Sequence, residues 1–367
     1  MTQDNPERRI LIENDDKAAA IFGQARECEV VALDTEFMRV KTYYAELCLL
    51  QLALPDGRAA CLDPLAVRAP SLGEGLFGLN GTLVVHSAGQ DLEVLESSLD
   101  YVPRDLFDTQ IAAAFLGYGD QVSYSNLTRQ LLGVELAKGE TRTDWCRRPL
   151  TEAQLDYAYA DVEHLLELQE ILVAQLERDD KLQWVRRACA ELVERRPQEN
   201  DQSVVSRFKG GGNVPVSRQA LLRELVLWRE RTARQKNRPR EWIVSSADLV
   251  AIATKMPNTP EKLASMTSLN AAQIRRYSNA LVDLVNAWEG EASERVIWLP
   301  RGELDVAQKA LLKQMQKRVR SFCERMSISP TALVSRADLE ALLTGRPGRL
   351  DAGWRRELIG DVLEELL

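Results

Sequence analysis

Two carboxylates end an apolar run near the amino terminus of the chain. Asp34 and Glu36 follow residues 30–33, all four of which are apolar. This run predicts a short strand that is buried on both faces. Residues two apart on a strand project to the same face, so the two acids are expected side by side. A bound cation would remove their mutual repulsion; alternatively, the two acids mark a strand end that meets solvent.

A third carboxylate follows another predicted strand, at residues 82–86. The helical pattern that comes next starts near Gln90, which places Asp91 in the first helical turn. A carboxylate there either stabilises the helix dipole, by about 0.3–1 kcal/mol, or joins the first two acids. His86 and Gln90 lie at the same junction. They are expected either to contact a substrate backbone or to complete the hydrogen bonds of the strand end.

A tyrosine and a fourth carboxylate share one face of a long predicted helix. Thr151 and Gln154 are predicted to form a capping box that opens a helix over residues 151–178. Tyr157 and Asp161 are four residues apart, so both project from the same side of that helix. The alternative is an exposed tyrosine above an exposed aspartate.

The elements that must position these residues occupy the first part of the chain. Strand and helix patterns alternate there, which indicates an α/β domain over residues 1–195. Its predicted strands are 29–36, 47–54, 58–62 and 82–86, and its predicted helices are 89–99, 106–116, 124–132 and 151–178. The polar, glycine-rich segment 196–212 is predicted to be a linker.

The rest of the chain is predicted to be helical and to repeat itself. "IVSSADLVAI" at 243–252 and "LVSRADLEAL" at 333–342 share six of ten positions, and each follows a basic helix. Ser245 and Ser335 are predicted N-caps. We therefore expect two copies of one small unit, a first helical module at 213–290 and a second helical module at 293–367. Chance similarity over ten residues is the alternative.

Charge is distributed unevenly along the 367 residues, whose net charge is −8. Residues 1–200 contain 35 acidic and 20 basic side chains, whereas residues 201–367 contain 20 acidic and 27 basic ones. The basic helix at 218–240 carries Arg229, Arg234 and Lys236, and it is the best predicted footprint for RNA. The alternative is a solvated helix face.

Composition narrows the chemistry further. The six cysteines are scattered without a C-x-x-C pair, which favours reduced thiols in a cytoplasm over a disulfide framework or a zinc site. Only two histidines are present, so a metal would need oxygen ligands, which favours Mg²⁺ or Mn²⁺. Neither a signal peptide nor an apolar run of about 18 residues is found, so no membrane partner is expected.

The order of these motifs resembles that of the DEDD superfamily of 3′–5′ exonucleases. Asp-x-Glu on a strand, an Asp on a following helix and Tyr-x-x-x-Asp on a late helix are typical of its DEDDy branch. The stretches "VALDTEF", "VVHSAGQDLEVL", "TRTDWCRRPLT" and "YAYADVEHLL" are similar to the ribonuclease D family. The repeated helical unit resembles the HRDC domain, so the resemblance covers nearly the whole chain.

The resemblance implies an RNase H-like α/β catalytic domain followed by two small all-α HRDC domains. It implies a metal-dependent 3′–5′ exoribonuclease that releases nucleoside 5′-monophosphates from tRNA precursors and other small structured RNAs with single-stranded 3′ ends. Asp34, Glu36, Asp91 and Asp161 would hold two divalent ions, Mg²⁺ or Mn²⁺, with Asp34 shared between them. Tyr157 would orient the attacking water.

Two further residues and several rival interpretations complete the expectations. Thr35 and Phe37 flank the first acids and would meet the terminal nucleotide, Phe37 by stacking; core packing of Phe37 is the alternative. A 3′–5′ DNA exonuclease on the same scaffold is the rival activity. A non-catalytic nucleic-acid-binding protein is the rival from another class. A cytoplasmic monomer is the default expectation.

Overall fold

A six-stranded mixed sheet forms the centre of the first part of the chain. The computed structural model describes residues 8–137, 139, 143–194, 201–288, 297–298 and 304–366. The strands are β1 (Arg9–Ile12), β2 (Val30–Met38), β3 (Glu46–Ala53), β4 (Ala59–Leu62), β5 (Thr82–Val85) and β6 (Leu106–Asp108). Their order across the sheet is β1-β4-β3-β2-β5-β6. The β2–β3 and β3–β4 pairs are antiparallel, whereas the other three pairs are parallel.

Helices connect and cover these strands. They are α1 (Asp15–Ala25), α2 (Ala69–Phe77), α3 (Gly89–Leu99), α4 (Thr109–Phe115), α5 (Tyr124–Leu132), α6 (Glu152–Glu163), α7 (Leu165–Arg178) and α8 (Leu182–Glu194). Helix α6 begins at the predicted capping box, in which the Thr151 hydroxyl accepts from the Gln154 amide and the Gln154 side chain accepts from the Thr151 amide. The expected α/β architecture is therefore present.

Several predicted boundaries were wrong. Residues 106–116 were predicted to be one helix, but Leu106–Asp108 form the edge strand β6, and Asp108 then caps α4. The helix predicted over 151–178 is divided at His164 into α6 and α7. Strand β1 and helices α1 and α2 were not predicted, because their short apolar patterns lie outside the motif regions.

The described residues after α8 are helical. Their helices are α9 (Asp201–Arg207), α10 (Val216–Gln235), α11 (Arg240–Ile243), α12 (Ser246–Lys255), α13 (Pro260–Met266), α14 (Ala271–Asn286), α15 (Val306–Met326), α16 (Pro330–Leu333), α17 (Arg336–Leu343) and α18 (Trp354–Glu364). A short 3₁₀ turn spans Gly211–Asn213. Among the residues that the structure describes, none of the helices is long and apolar enough to cross a membrane.

The predicted linker is only partly described. Residues 196–200 lie outside the described residues. Residues 201–207 form α9, and Val205 and Phe208 are buried in an apolar core with Leu221 and Leu225, so this part of the linker prediction was wrong. The sequence "SVVSRF" supplies the apolar residues for this packing, although the polar residues around it dominate the local composition.

A run of three helices occurs twice in this part of the chain, once in each predicted helical module. A long helix, a four-residue helix and a serine-capped helix follow one another as α10, α11 and α12 and again as α15, α16 and α17. The hydroxyls of Ser245 and Ser335 accept from the amides of Asp248 and Asp338. Trp298 lies outside the predicted first module but is buried in its apolar core, where the Gln219 side chain accepts from its amide at 2.8 Å.

The chain forms two compact units whose composition departs from the predicted domains. One comprises Met1–Met38, Glu46–Arg196 and Leu304–Leu367, and the other comprises Arg39–Ala45 and Pro197–Glu303. The described second module therefore packs with the sheet-containing part of the chain. The Ser329 amide donates to the Ala114 carbonyl at 2.8 Å, and the ring centroids of Phe115 and Trp354 lie 5.7 Å apart.

The cysteine prediction was wrong for one pair. Cys48 on β3 and Cys146 form a disulfide, with a sulfur–sulfur distance of 1.92 Å and a sequence separation of 98. Cys28, Cys61, Cys189 and Cys323 are free. Spacing in the sequence does not disclose this pair, because the fold alone brings the segment around Cys146 to β3.

Candidate active site

Strand β2 presents two acids from the centre of the sheet. Asp34 and Glu36 lie opposite Gln51 and Leu49 of the antiparallel strand β3. The register between these strands shifts between Glu36 and Phe37, so both acids lie in the regularly paired part of β2 before the shift. Their carboxylates come together with that of Asp161. One oxygen of each lies within 4.8 Å of the others, a spacing that could hold a metal ion.

Helix α6 positions the third acid and the tyrosine on one face. The four-residue spacing places the Tyr157 phenol beside the Asp161 carboxylate, and both side chains line the same cleft. The Trp145 ring packs beside Tyr157 with a centroid distance of 5.9 Å. Gly139 also lies against the Tyr157 ring, and a methyl group built on it would overlap that side chain. The phenol is therefore held in place by packing on both sides.

The fourth acid reaches the site from helix α3. Asp91 is 8% exposed, and its Oδ1 accepts a hydrogen bond from the Thr35 hydroxyl. The turn before α3 is held by Asp108, whose carboxylate accepts from the amides of Ser87 at 3.0 Å and Ala88 at 2.9 Å. The end of β6 thus fixes the start of the helix that carries Asp91.

Burial and mutual repulsion raise the pKa values of the four carboxyl groups. Burial, followed by the charges of Asp91, Asp161 and Glu36, raises the pKa of Asp34 well above its ordinary range. Burial raises the pKa of Glu36 to about 8 and that of Asp161 to about 7. Burial also raises the pKa of Asp91 to about 6, and the hydrogen bond from the Thr35 hydroxyl partly offsets this increase. Four carboxyl groups with raised pKa values in one place are typical of a functional site.

The side chains around the acids fit a divalent ion. The described ligand group consists of carboxylates alone, and carboxylate oxygens suit Mg²⁺ and Mn²⁺ better than softer metals. A cation at this place would favour the ionised form of every one of the four acids. Burial and the neighbouring acids raise the pKa of Tyr157, so this side chain remains a neutral phenol near pH 7.

A cleft of about 480 Å³ opens above the carboxylates. Its lining includes the acids Asp34, Glu36 and Asp161 and the predicted nucleotide contacts Thr35, Phe37 and Gln90, together with Met38, Thr143, Trp145 and Tyr157. Phe37 is partly exposed and Gln90 is exposed, so both remain predictions for substrate contact. The Thr35 side chain is buried and donates to Asp91, so its hydroxyl orients an acid.

The prediction that His86 contacts substrate is contradicted by its hydrogen bonds. Its Nδ1 lies 2.9 Å from the Thr109 hydroxyl, and its Nε2 lies 3.0 Å from the Val122 carbonyl oxygen. Both ring nitrogens therefore have partners within the fold. His86 completes the end of β5, which was the alternative interpretation of the sequence.

Two of the predicted RNA contacts on α10 are also contradicted. Arg229 is 5% exposed and donates to Glu241 at 3.1 Å, to the Val244 carbonyl at 3.1 Å and to Ser246 at 3.0 Å. Arg234 donates to the buried carboxylate of Glu230 at 3.1 Å. Both guanidinium groups stabilise the first helical module. Lys236 is exposed at the end of α10 and remains a prediction for RNA binding.

Sequence reasoning missed the residues that fix the segment around Trp145. Trp145 is 1% exposed, although it lies between charged residues in "TDWCRR". Arg148, in the same basic segment, donates to the buried carboxylate of Asp63 and to the Cys48 carbonyl at 2.6 Å. Lys138 and Arg142 of this segment lie outside the described residues. The one local signal was a tryptophan within a basic segment.

Comparisons with known proteins agree with this geometry. A family model described as 3′–5′ exonuclease matches residues 10–177, and one described as HRDC domain matches residues 218–285. Ribonuclease D of Pseudomonas paraeruginosa is 36% identical over 359 residues, which cover 94% of each protein. Ribonuclease D of Desulfotalea psychrophila is 31% identical over 364 residues, which cover 96% of each.

A solved structure is also similar to this chain over nearly its whole length. The crystal structure of Escherichia coli RNase D, described as an exoribonuclease involved in structured RNA processing, matches with a TM-score of 0.85 and 30% identity. The match covers 97% of this chain and 98% of that one.

Proposed function

The chain belongs to the ribonuclease D family of 3′–5′ exoribonucleases, and from that membership we propose how its own residues remove nucleotides from RNA. Asp34, Glu36 and Asp161 hold divalent ions together with Asp91. The observation that carries this proposal is the convergence of three half-buried carboxylates within 4.8 Å. The ions are two Mg²⁺ or two Mn²⁺, since the described ligands are hard oxygen donors.

The reaction is hydrolysis of the last phosphodiester bond. A water oxygen adds to phosphorus, and the bond from phosphorus to the 3′ oxygen of the preceding nucleotide breaks, which releases a nucleoside 5′-monophosphate. When bound, divalent ions supply positive charge to the attacking and leaving oxygens of such an in-line displacement. The four carboxylates place that charge at the floor of the cleft.

Tyr157 orients the water. Because its pKa is raised, the phenol keeps its proton near pH 7 and can act only as a hydrogen-bonding group, not as a general base. The packing of Trp145 and the close approach of Gly139 hold the hydroxyl at one place in the cleft. Rigid placement of this kind is what a water-positioning group requires.

The terminal nucleotide lies in the cleft above β2. Phe37 is partly exposed there and offers a ring face to a base or a ribose, while Gln90 offers an exposed amide. Neither contact reads a particular base, so the enzyme would accept different 3′ nucleotides. The substrates would be RNAs with single-stranded 3′ ends, including tRNA precursors and other small structured RNAs.

The helical modules would bind the RNA through its phosphates. The first helical module matches the HRDC family, and we assign the second helical module to the same type because its helix order repeats that of the first. Lys236 and the other exposed basic residues of α10 would contact phosphates, which add affinity without sequence readout. The working unit is a monomer in the cytoplasm, where the Cys48–Cys146 bond would be open to reduction.

An RNA digestion assay tests the proposal. The purified protein is incubated with a 3′-extended tRNA transcript and with its DNA counterpart, in Mg²⁺, in Mn²⁺ and in chelator. Asp34→Asn is the test variant, and Asp156→Asn, which changes an exposed acid on α6, is the matched control. We expect metal-dependent release of 5′-mononucleotides from RNA, retained in the control and lost in the test variant. Preferential digestion of DNA would favour the rival activity, and binding without digestion would contradict catalysis.

A further inference from the structure

One fully buried amide beside the active site lacks a hydrogen-bond partner. Gln51 lies within β3 and is 0% exposed. Neither its Nε2 nor its Oε1 has a partner among the described residues. An unpaired buried amide is unfavourable, and native proteins seldom leave both ends of one unsatisfied. The described residues of the core therefore leave the hydrogen-bonding groups of this amide unsatisfied.

The register of the sheet places this amide next to Asp34. Gln51 is the direct partner of Asp34 across the antiparallel β2–β3 pair and of Cys61 across the β3–β4 pair. Directly opposed residues project to the same face, with Cβ atoms about 4.5–5.5 Å apart. A thiol such as that of Cys61 is only a weak hydrogen-bonding group. Asp34 is thus the cross-strand neighbour that can offer Gln51 a charged acceptor.

We propose that Gln51 is a positioning residue for Asp34. With divalent ions bound, the Gln51 Nε2–H group donates to one oxygen of the Asp34 carboxylate and leaves the other oxygen for the metal. Carboxylates that bind metals are themselves commonly hydrogen-bonded by neighbouring groups, which fix their orientation. The inference rests on the proposed function, since it requires Asp34 to be a metal ligand. It explains why a polar side chain stands in a strand whose other interior positions are apolar or cysteine.

Gln51→Met tests the role with little change in volume. Methionine retains an unbranched side chain of similar size and removes both amide atoms. Leu50→Met is the matched control, because Leu50 is also 0% exposed but projects to the opposite face of β3. Mn²⁺ affinity is measured by calorimetry on metal-free protein without RNA, and the unfolding temperature is measured in chelator.

We expect Gln51→Met to bind Mn²⁺ about 10- to 100-fold more weakly, the usual effect of removing a partner of a metal ligand. In chelator it should unfold at the wild-type temperature or above, because an unpaired amide has been removed. Mn²⁺ affinity within threefold of wild type, or a folded variant that is less stable in chelator, would overturn the proposal. If Gln51→Met lacks native near-ultraviolet dichroism, Gln51→Asn, which shortens the amide by one methylene, replaces it and should also lose affinity.

Failure of the inference is distinguishable from failure of the proposed function. Wild-type protein that binds no Mn²⁺, or an Asp34→Asn variant that binds it normally, would remove the metal site itself. Normal binding by wild type and by Gln51→Met, with loss in Asp34→Asn, would leave the metal site intact and reject Gln51 alone.

Discussion

Replacement of Asp161 by asparagine should stabilise the metal-free protein while it abolishes hydrolysis. Burial raises the pKa of Asp161 from 3.8 to about 7. Between these two pH values the folded state therefore still holds a proton that the unfolded state has already released. The stabilising effect of this proton is complete below pH 3.8 and is lost as the pH rises to about 7. Asparagine has no charge to desolvate, so the variant avoids this loss.

The magnitude follows from the two pKa values. Each pH unit between them corresponds to about 1.4 kcal/mol, which gives a ceiling of about 4 kcal/mol above pH 7. Between about pH 5.5 and pH 8 the advantage of the variant should grow by about 2 kcal/mol. The rate of hydrolysis should fall by more than about 100-fold. Loss of a residue that hydrogen-bonds to a metal ligand lowers activity by about 10- to 100-fold, and loss of the ligand itself should have at least that effect.

Urea unfolding in chelator at both pH values measures this effect. Asp156→Asn is the control, because Asp156 lies on the same helix with a side chain that is 70% exposed. Its unfolding free energy should stay within about 0.5 kcal/mol of wild type at each pH. An Asp161→Asn variant that is less stable than wild type at pH 8, or whose advantage does not change with pH, would refute the reasoning.

Four further substitutions test single assignments. Tyr157→Phe should lower kcat by about 100-fold and leave the Mn²⁺ Kd unchanged; unchanged turnover would reject water positioning. His86→Ala should lower the unfolding free energy by about 1–3 kcal/mol and change KM for RNA by less than about threefold, because both ring nitrogens bond within the fold. Arg229→Met should destabilise the first helical module by about 1–3 kcal/mol. Lys236→Ala should preserve stability and reduce the salt dependence of RNA binding by about one phosphate contact. Unchanged stability with weaker RNA binding in Arg229→Met would instead support the predicted RNA contact of Arg229.

Periodicity in the sequence predicted the parts of the site that depend on local geometry. The spacing of Asp34 and Glu36 needed only the alternation of a strand, and that of Tyr157 and Asp161 needed only the pitch of a helix. The capping box at Thr151 likewise depends on contacts within four residues. These features can be predicted because no distant segment decides them.

Tertiary contacts determine what the sequence did not disclose. Arg229 belongs to a basic helix by composition, yet the fold turns it toward Glu241 and the start of α12. Cys48 meets Cys146 only after the segment around Trp145 returns to β3. The unpaired amide of Gln51 depends on strand register, which an apolar run does not specify.

Anomalous diffraction from Mn²⁺-soaked crystals of wild-type protein and of Asp34→Asn tests the central claim most directly. If the carboxylates of Asp34, Glu36, Asp91 and Asp161 hold the catalytic ions, the wild-type map should show two peaks among them, and the variant map should lose at least one. Mn²⁺ peaks elsewhere, or none at these four carboxylates in a crystal of active protein, would contradict it.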